Sequence, residues 1–161
     1  MSKKILVVSD THGRHGNLDI IIEKEEPFDM FLHMGDLEGD EDYIHAVLNC
    51  TTRLVGGNND YFSGLPKEQE FYIGDKKVFM THGHQYCIYR GLDGIKAAAK
   101  VKGADIVMFG HTHVPFLEEE DGIIFLNPGS VTYPRQTGRE PSYMIINVDD
   151  TGKMEFVQKH L

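Results

Sequence analysis

Cysteine is nearly absent: the chain has two, Cys50 and Cys87, with no CxxC pairing or regular spacing. That argues against a disulfide framework and a cysteine-built zinc site, fits a reducing compartment, and leads us to expect two buried thiols. Cations are short as well, with 16 Lys and Arg against 25 Asp and Glu and a formal net charge of -9. A non-specific nucleic-acid binder draws affinity from clustered Lys and Arg on phosphates, so this balance argues against nucleic acid as a partner. Bound divalent cations offset acidic charge locally, which leaves a small anionic substrate open. Long apolar runs are missing too. After Met1-Ser2-Lys3-Lys4 the first apolar segment is about five residues, too short for a signal h-region or a spanning helix. The expected setting is cytoplasmic, away from the membrane. No repeat, low-complexity segment or linker interrupts the 161 residues, so residues 1–161 read as one domain able to fold unaided.

What is there is a series of short apolar runs that end in polar residues. Residues 5–9, the β-branched stretch ILVVS, have the make-up of a buried parallel strand and lead straight into Asp10-Thr11-His12-Gly13. Leu18, Ile21 and Ile22 with charges between them predict a helix over 17–25, closed by Pro27. A second strand is expected over 30–34, before Gly35-Asp36, and a second helix over 41–48 with Tyr43, Ile44, Val47 and Leu48 on one face. A third strand over 52–55 leads into Gly56-Gly57-Asn58-Asn59-Asp60. This β-α-β-α-β order implies parallel strands joined by crossovers. Residues 70–73 and 77–81 then flank Gly74-Asp75 as a hairpin whose second strand ends in His82-Gly83-His84. A helix over 92–102 stops at Gly103, and a strand over 106–109 runs into Gly110-His111-Thr112-His113. Strands over 115–118, 123–126, 143–148 and 154–158 complete the chain. The implied class is α/β, two sheets packed face to face with helices outside.

Five polar clusters therefore stand at the ends of five strand-like runs: Asp10 with His12, Asp36, Asn58, His82, and His111 with His113. Ligands of open α/β sheets bind beyond the carboxyl ends of the strands, so these residues are expected to converge on one rim. Singly, each has an ordinary explanation, such as a carboxylate capping a turn or a histidine satisfied in the core. His33, His45 and His160 are given no role on that ground. Together, two carboxylates, one amide and four imidazoles form a mixed nitrogen and oxygen donor set without thiolate. Such a set suits Mn²⁺, Fe²⁺, Zn²⁺, Co²⁺ or Ni²⁺ rather than an all-oxygen Ca²⁺ cage. Seven donors exceed what one transition ion with an open position takes, so two ions sharing a carboxylate are expected. Asp36, with no other candidate donor within two residues, is the choice for the bridge.

The ordered pattern Asp-x-His, Gly-Asp, Gly-Asn-x-Asp, His-Gly-His and Gly-His-x-His resembles that of the calcineurin-like metallophosphoesterase superfamily over about residues 5 to 130. Ser9-Asp10-Thr11-His12-Gly13 and Asn127-Pro128-Gly129-Ser130 bring the likeness nearest to the small YfcE-type phosphodiesterases. The resemblance implies a four-layer α/β/β/α sandwich and a single calcineurin-like phosphoesterase domain. It implies one metal held by Asp10, His12, Asp36 and His113 and a second by Asp36, Asn58, His82 and His111, with Mn²⁺ the first choice. A dinuclear phosphodiesterase follows, in which a hydroxide shared by two ions attacks phosphorus in line.

Many superfamily phosphatases carry a histidine where this chain has Asn59, and asparagine is no general acid at neutral pH. A small phosphodiester is therefore expected as substrate, and His84 is the candidate to act in place of that histidine. Asn58 and His84 are the catalytic candidates, Arg14 and Asn59 the substrate-binding ones, with Arg53, Arg90, Arg135 and Arg139 as further cations. Asp60 is expected to orient neighbouring backbone or Asn58. Residues 133–139 are also eligible as an interface loop of a homo-oligomer. The alternatives are a phosphomonoesterase or nuclease of the same superfamily, or a non-catalytic scaffold of the retromer-subunit type. The complete donor set argues against the scaffold.

Overall fold

Side-chain alternation in β1 (Lys3–Val8) decides how the layers form. Ile5 and Val7 turn into a core shared by two sheets, while Leu6 and Val8 turn the other way, under helices. The computed structural model describes residues 2–161. In its first sheet β1, β2 (Met30–His33) and β3 (Thr51–Leu54) are parallel neighbours, and β9 (Ser142–Val148) and β10 (Met154–His160) extend it antiparallel beyond β1. The second sheet joins the hairpin β4 (Glu68–Ile73) and β5 (Lys76–Thr81) to parallel β6 (Ile106–Met108) and β8 (Ile123–Asn127), with β7 (Phe116–Glu120) antiparallel at the edge. Helices α1 (Gly16–Glu25) and α2 (Glu41–Val47) lie on the first sheet, and α3 (Asp93–Lys102) lies on the second. The result is the expected four-layer α/β/β/α sandwich.

Register is what brings chemistry to one edge. Val8 pairs with His33 and His33 with Leu54, so the three parallel strands of the first sheet end level. Met80, Met108 and Leu126 align in the same way across β5, β6 and β8. The loops after β1, β2, β3, β5 and β6 therefore open on a common rim. Under the first sheet's helical face, the buried Glu25 carboxylate ties four elements together. Its Oε1 accepts from the Tyr143 hydroxyl at 2.7 Å and from Lys159 Nζ at 2.7 Å, and its Oε2 faces Lys4 Nζ at 3.0 Å.

Some expectations need correction. Cys87 is exposed, at the junction of two 3₁₀ turns (His84–Tyr86 and Ile88–Arg90) that the apolar pattern did not announce, and Cys50 is half-buried. Helix α2 is short and buries Ile44, with Leu48 just past its end; Val47 is exposed, and the Tyr43 hydroxyl is drawn outward onto Asp19. Strand β7 begins at Phe116 and continues to Glu120 because its partner β8 supplies a ladder that long.

Candidate metal centre

The rim loops turn sharply, and the backbone shows it. Asp10, His12, Asp36, His111 and His113 have φ values of 56°, 51°, 60°, 71° and 61°, a left-handed region in which non-glycine residues are uncommon. Each such residue costs about 1 kcal/mol or more and is tolerated where surrounding bonds enforce it. Glycines clear the centre of the cluster. A Cβ on Gly57 would lie 2.1 Å from Asp36 Oδ1, and one on Gly110 would lie 2.1 Å from Ser9 Oγ and 2.8 Å from Asp10 Oδ2.

Asp10 sits at the heart of the cluster, fully buried. Its Oδ2 accepts from Ser9 Oγ at 2.5 Å and from the His111 peptide N–H at 3.1 Å. Its Oδ1 has no hydrogen-bond partner although no water can reach it. Around that oxygen stand His113 Nε2 at 3.2 Å, His12 Nε2 at 3.7 Å and His82 Nε2 at 3.8 Å. Asp36 Oδ2 lies between two histidines, 3.4 Å from His82 Nε2 and 3.8 Å from His12 Nε2. Donor atoms of Asp10, His12 and His113 come within 4.8 Å of one another, as do those of Asp10, Asp36 and His82.

The other ring nitrogens settle which face each histidine offers. His82 Nδ1–H donates to the Met34 carbonyl at 2.8 Å, His113 Nδ1–H to the Tyr133 carbonyl at 2.7 Å, and His12 Nδ1–H to Glu38 at 3.0 Å. An imidazole whose Nδ1 carries the proton presents a lone pair at Nε2, the arrangement that metal-ligating histidines require. Two close nitrogen pairs result: His12 Nε2 and His113 Nε2 are 3.2 Å apart, and so are His82 Nε2 and His111 Nδ1. Two nitrogens bound to one ion at about 2.1 Å, subtending about 90–110°, stand roughly 3.0–3.4 Å apart. The donors present thus fit divalent transition ions.

Charge follows the same layout. Burial works against a charged His12, but its hydrogen bond to Glu38 and the nearby Asp10 and Asp36 carboxylates outweigh it and raise its pKa to about 9. Burial disfavours ionised Asp36, yet the bond to His82 and its charge win, lowering it to about 2. For His111 burial and the charge of His82 act together, lowering it to about 4. Metal uptake at neutral pH must therefore displace protons from this cluster.

The six Asp and His candidates converge. Asn58 is exposed at the lip, and its side chain makes no hydrogen bond among the described residues. Asn59 is exposed too, but bonds Asp36: its peptide N–H donates to Asp36 Oδ1 at 2.9 Å and its Nδ2 to Oδ2 at 3.0 Å. His84 is beside the cluster, with ring centroids 5.5 Å from His82 and 6.1 Å from His111; its Nδ1 is buried without a partner, and burial lowers its pKa. Arg14 is exposed, its guanidinium 5.8 Å above the Tyr133 ring, which stands edge-on to His12. Asp60 holds backbone, taking the Leu37, Glu38 and Gly57 N–H groups at 3.1, 2.7 and 2.9 Å.

Sequence reasoning missed His33, which is fully buried and accepts from the Gly35 N–H at 3.0 Å through Nδ1 while Nε2–H donates to Thr11 Oγ1 at 3.0 Å. It locks the first two rim loops together, and its place one residue before Met34-Gly35-Asp36 was the available signal. Asn127 and Ser130 lock the others: Asn127 Nδ2 donates to the Gly110 carbonyl at 2.9 Å, and Ser130 Oγ to the Asp10 carbonyl at 2.8 Å.

A two-sheet sandwich with carboxylates and imidazoles gathered at one rim defines a metal-dependent phosphoesterase class, and residues 4–151 match the calcineurin-like phosphoesterase superfamily domain. The chain belongs to that superfamily. Among relatives, it is 33% identical over 147 residues to the probable metallophosphoesterase YsnB of Bacillus subtilis, covering 91% of this chain and 85% of that one. It is 28% identical over 171 residues to phosphodiesterase MJ0936 of Methanocaldococcus jannaschii, covering 95% and 96%. Among solved structures, wild-type Vps29 of Entamoeba histolytica complexed with Zn²⁺ superposes with a TM-score of 0.78 at 25% identity, covering 98% of each chain.

Proposed function

We propose that this chain is a dinuclear metal-dependent phosphodiesterase acting on small phosphodiesters. The observation that carries the reading is the orientation of His12, His82 and His113. All three tie Nδ1 to an oxygen and turn Nε2 on the unpartnered, buried Asp10 Oδ1. A carboxylate oxygen left bare in a buried place is costly unless something cationic meets it. One ion would be held by Asp10, His12, Asp36 and His113, the other by Asp36, Asn58, His82 and His111. When bound, such ions supply Lewis acidity, activating water at neutral pH and neutralising charge on the phosphoryl group. Mn²⁺ is our first choice, and Ni²⁺, Zn²⁺, Fe²⁺ and Co²⁺ are the alternatives.

The chain's own groups then do the positioning. Glu38 and the Met34 and Tyr133 carbonyls fix the ring faces, and Asn59 steadies Asp36. His84, beside His82 and His111, is the group we assign in place of the histidine absent at Asn59. Burial lowers its pKa and favours the neutral ring, so it would hydrogen-bond the leaving oxygen rather than act as a charged acid, and Asn58 and Arg14 stand at the lip where substrate would lie. Because Asn59 supplies no acid, a diester with a good leaving group should be cleaved faster than the corresponding monoester. The name of the MJ0936 relative supports the same preference.

The test is hydrolysis of bis-p-nitrophenyl phosphate with Mn²⁺ added. Turnover should vanish on chelation and fall at least about 100-fold in His111→Ala, as expected when an electrophilic centre is lost. Undiminished activity in either case refutes the two-ion reading. A chain that takes up no metal and turns over neither diester nor monoester is instead a scaffold.

A further inference from the structure

The sequence puts Arg14 first among the five arginines outside the donor set, and the structure separates them further. Arg53 packs 4.3 Å from the Phe71 ring centroid and bonds Gln69. Arg135 is held at the rim. Its Nη1 donates to the Tyr89 hydroxyl at 2.6 Å, and that hydroxyl donates to the His111 carbonyl at 3.0 Å. The Tyr89 ring stands edge-on to the His111 ring with centroids 4.9 Å apart. The Arg135 peptide N–H donates to the His113 carbonyl at 2.9 Å. One residue is thereby tied to both histidines of the Gly110-His111-Thr112-His113 turn.

Its loop is also anchored from the other side. Ser130 Oγ and Thr132 Oγ1 donate to the Asp10 and Thr11 carbonyls at 2.8 and 2.9 Å. In a chain with 25 acidic and 16 basic side chains, Arg135 is exposed and has no carboxylate partner among the described residues. A neutral phenol fixes the guanidinium and leaves most of its five N–H donors unused. A planar donor fork, oriented but without an anion, matches phosphoryl oxygens.

We propose that Arg135, positioned by Tyr89, is a phosphoryl-binding residue that grips a non-bridging oxygen of the substrate. This deepens the phosphodiesterase reading and rests on it for the identity of the substrate. Arg135 touches the phosphoryl group; Tyr89 acts through Arg135.

The experiment uses the full chain loaded with Mn²⁺ and inorganic phosphate as probe. Phosphate affinity is measured by calorimetry, and kcat and KM with bis-p-nitrophenyl phosphate. In Arg135→Ala the phosphate Kd and the diester KM should both rise roughly 10- to 100-fold, the usual worth of a charge-assisted bond, with Mn²⁺ stoichiometry and melting temperature unchanged. Tyr89→Phe should give a smaller rise in the same two quantities, and Arg135→Lys should recover only part of the loss. Lys24→Ala, which removes an exposed positive charge near the end of α1, should behave as wild type. Wild-type phosphate affinity and KM in Arg135→Ala overturn the proposal while leaving the phosphodiesterase reading intact. Loss of Mn²⁺ together with phosphate also overturns it, since Arg135 would then merely hold the His113 turn. A wild-type chain that binds phosphate through Arg135 but cleaves no diester refutes the activity and leaves the phosphoryl site standing.

Discussion

Gly57→Ala adds one methyl group at the most crowded point of the rim. The new Cβ would lie 2.1 Å from Asp36 Oδ1 and 2.6 Å from the Asp36 peptide nitrogen, closer than any real contact. Backbone cannot yield there cheaply, because Asp60 already holds the Gly57 N–H at 2.9 Å and the Leu37 N–H at 3.1 Å. Asp36 must therefore shift and lose one or both of its bonds from Asn59, at 2.9 and 3.0 Å. Overpacking costs about 1–3 kcal/mol and each lost bond to a charged group about 1.5–3 kcal/mol, so about 3 kcal/mol of stability should go. For a chain of this size that lowers the melting temperature by roughly 10 °C. As the proposed bridge, Asp36 also carries both ions, so Mn²⁺ affinity and diester turnover should fall at least about tenfold. Gly16→Ala is the control: no atom lies within 4 Å of its Cβ, and in the first turn of α1 it should be neutral or slightly stabilising. Thermal melts and Mn²⁺ titrations of the two variants decide the matter. A Gly57→Ala protein that melts within a degree or so of wild type and binds Mn²⁺ normally refutes the packing argument.

Three other outcomes are expected. Glu25→Gln should lose about 2 kcal/mol at pH 7: burial disfavours the Glu25 carboxylate, but Lys159, Tyr143 and Lys4 hold its pKa down at about 2. A lowered carboxylate pKa stabilises the fold above the unfolded value near 4.5, and the contribution fades as pH falls towards 2. Denaturant midpoints of variant and wild type should hence converge over that window. His33→Ala should cost about 3 kcal/mol, since it strands the Thr11 hydroxyl and the Gly35 N–H, and it should weaken Mn²⁺ binding without touching any donor atom; unchanged binding would show that the lock is unnecessary. Mn²⁺ at about 100 times its Kd should raise the wild-type melting temperature by roughly 5–10 °C per site, and a shift that EDTA fails to reverse would count against specific binding.

Much of this molecule was legible because burial and backbone period are local signals. The β-branched run before Asp10 and the Leu18, Ile21, Ile22 spacing specify β1 and α1 with little help from elsewhere. The rim was legible for a related reason, since polar residues directly after apolar strands have few other places to go. What escaped depends on distance in sequence. His33 looks like an ordinary core histidine until Thr11 is brought to it, and Tyr89 looks like a surface tyrosine until Arg135 and His111 close around it. Cys87 was misjudged because apolar character says nothing about a turn with φ of 52°. Asn59 was named as substrate-binding, and its amide's bond to Asp36, made across 23 residues of sequence, is visible only in the fold.

The central claim is that this rim holds two ions and uses them on a diester. Calorimetric titration of the chelator-stripped chain with Mn²⁺, sampled for bis-p-nitrophenyl phosphate turnover at each addition, tests it most directly. Two ions per chain, with turnover rising as the second site fills, is the predicted result. Saturation at one ion per chain with full turnover, or turnover with none, would contradict it.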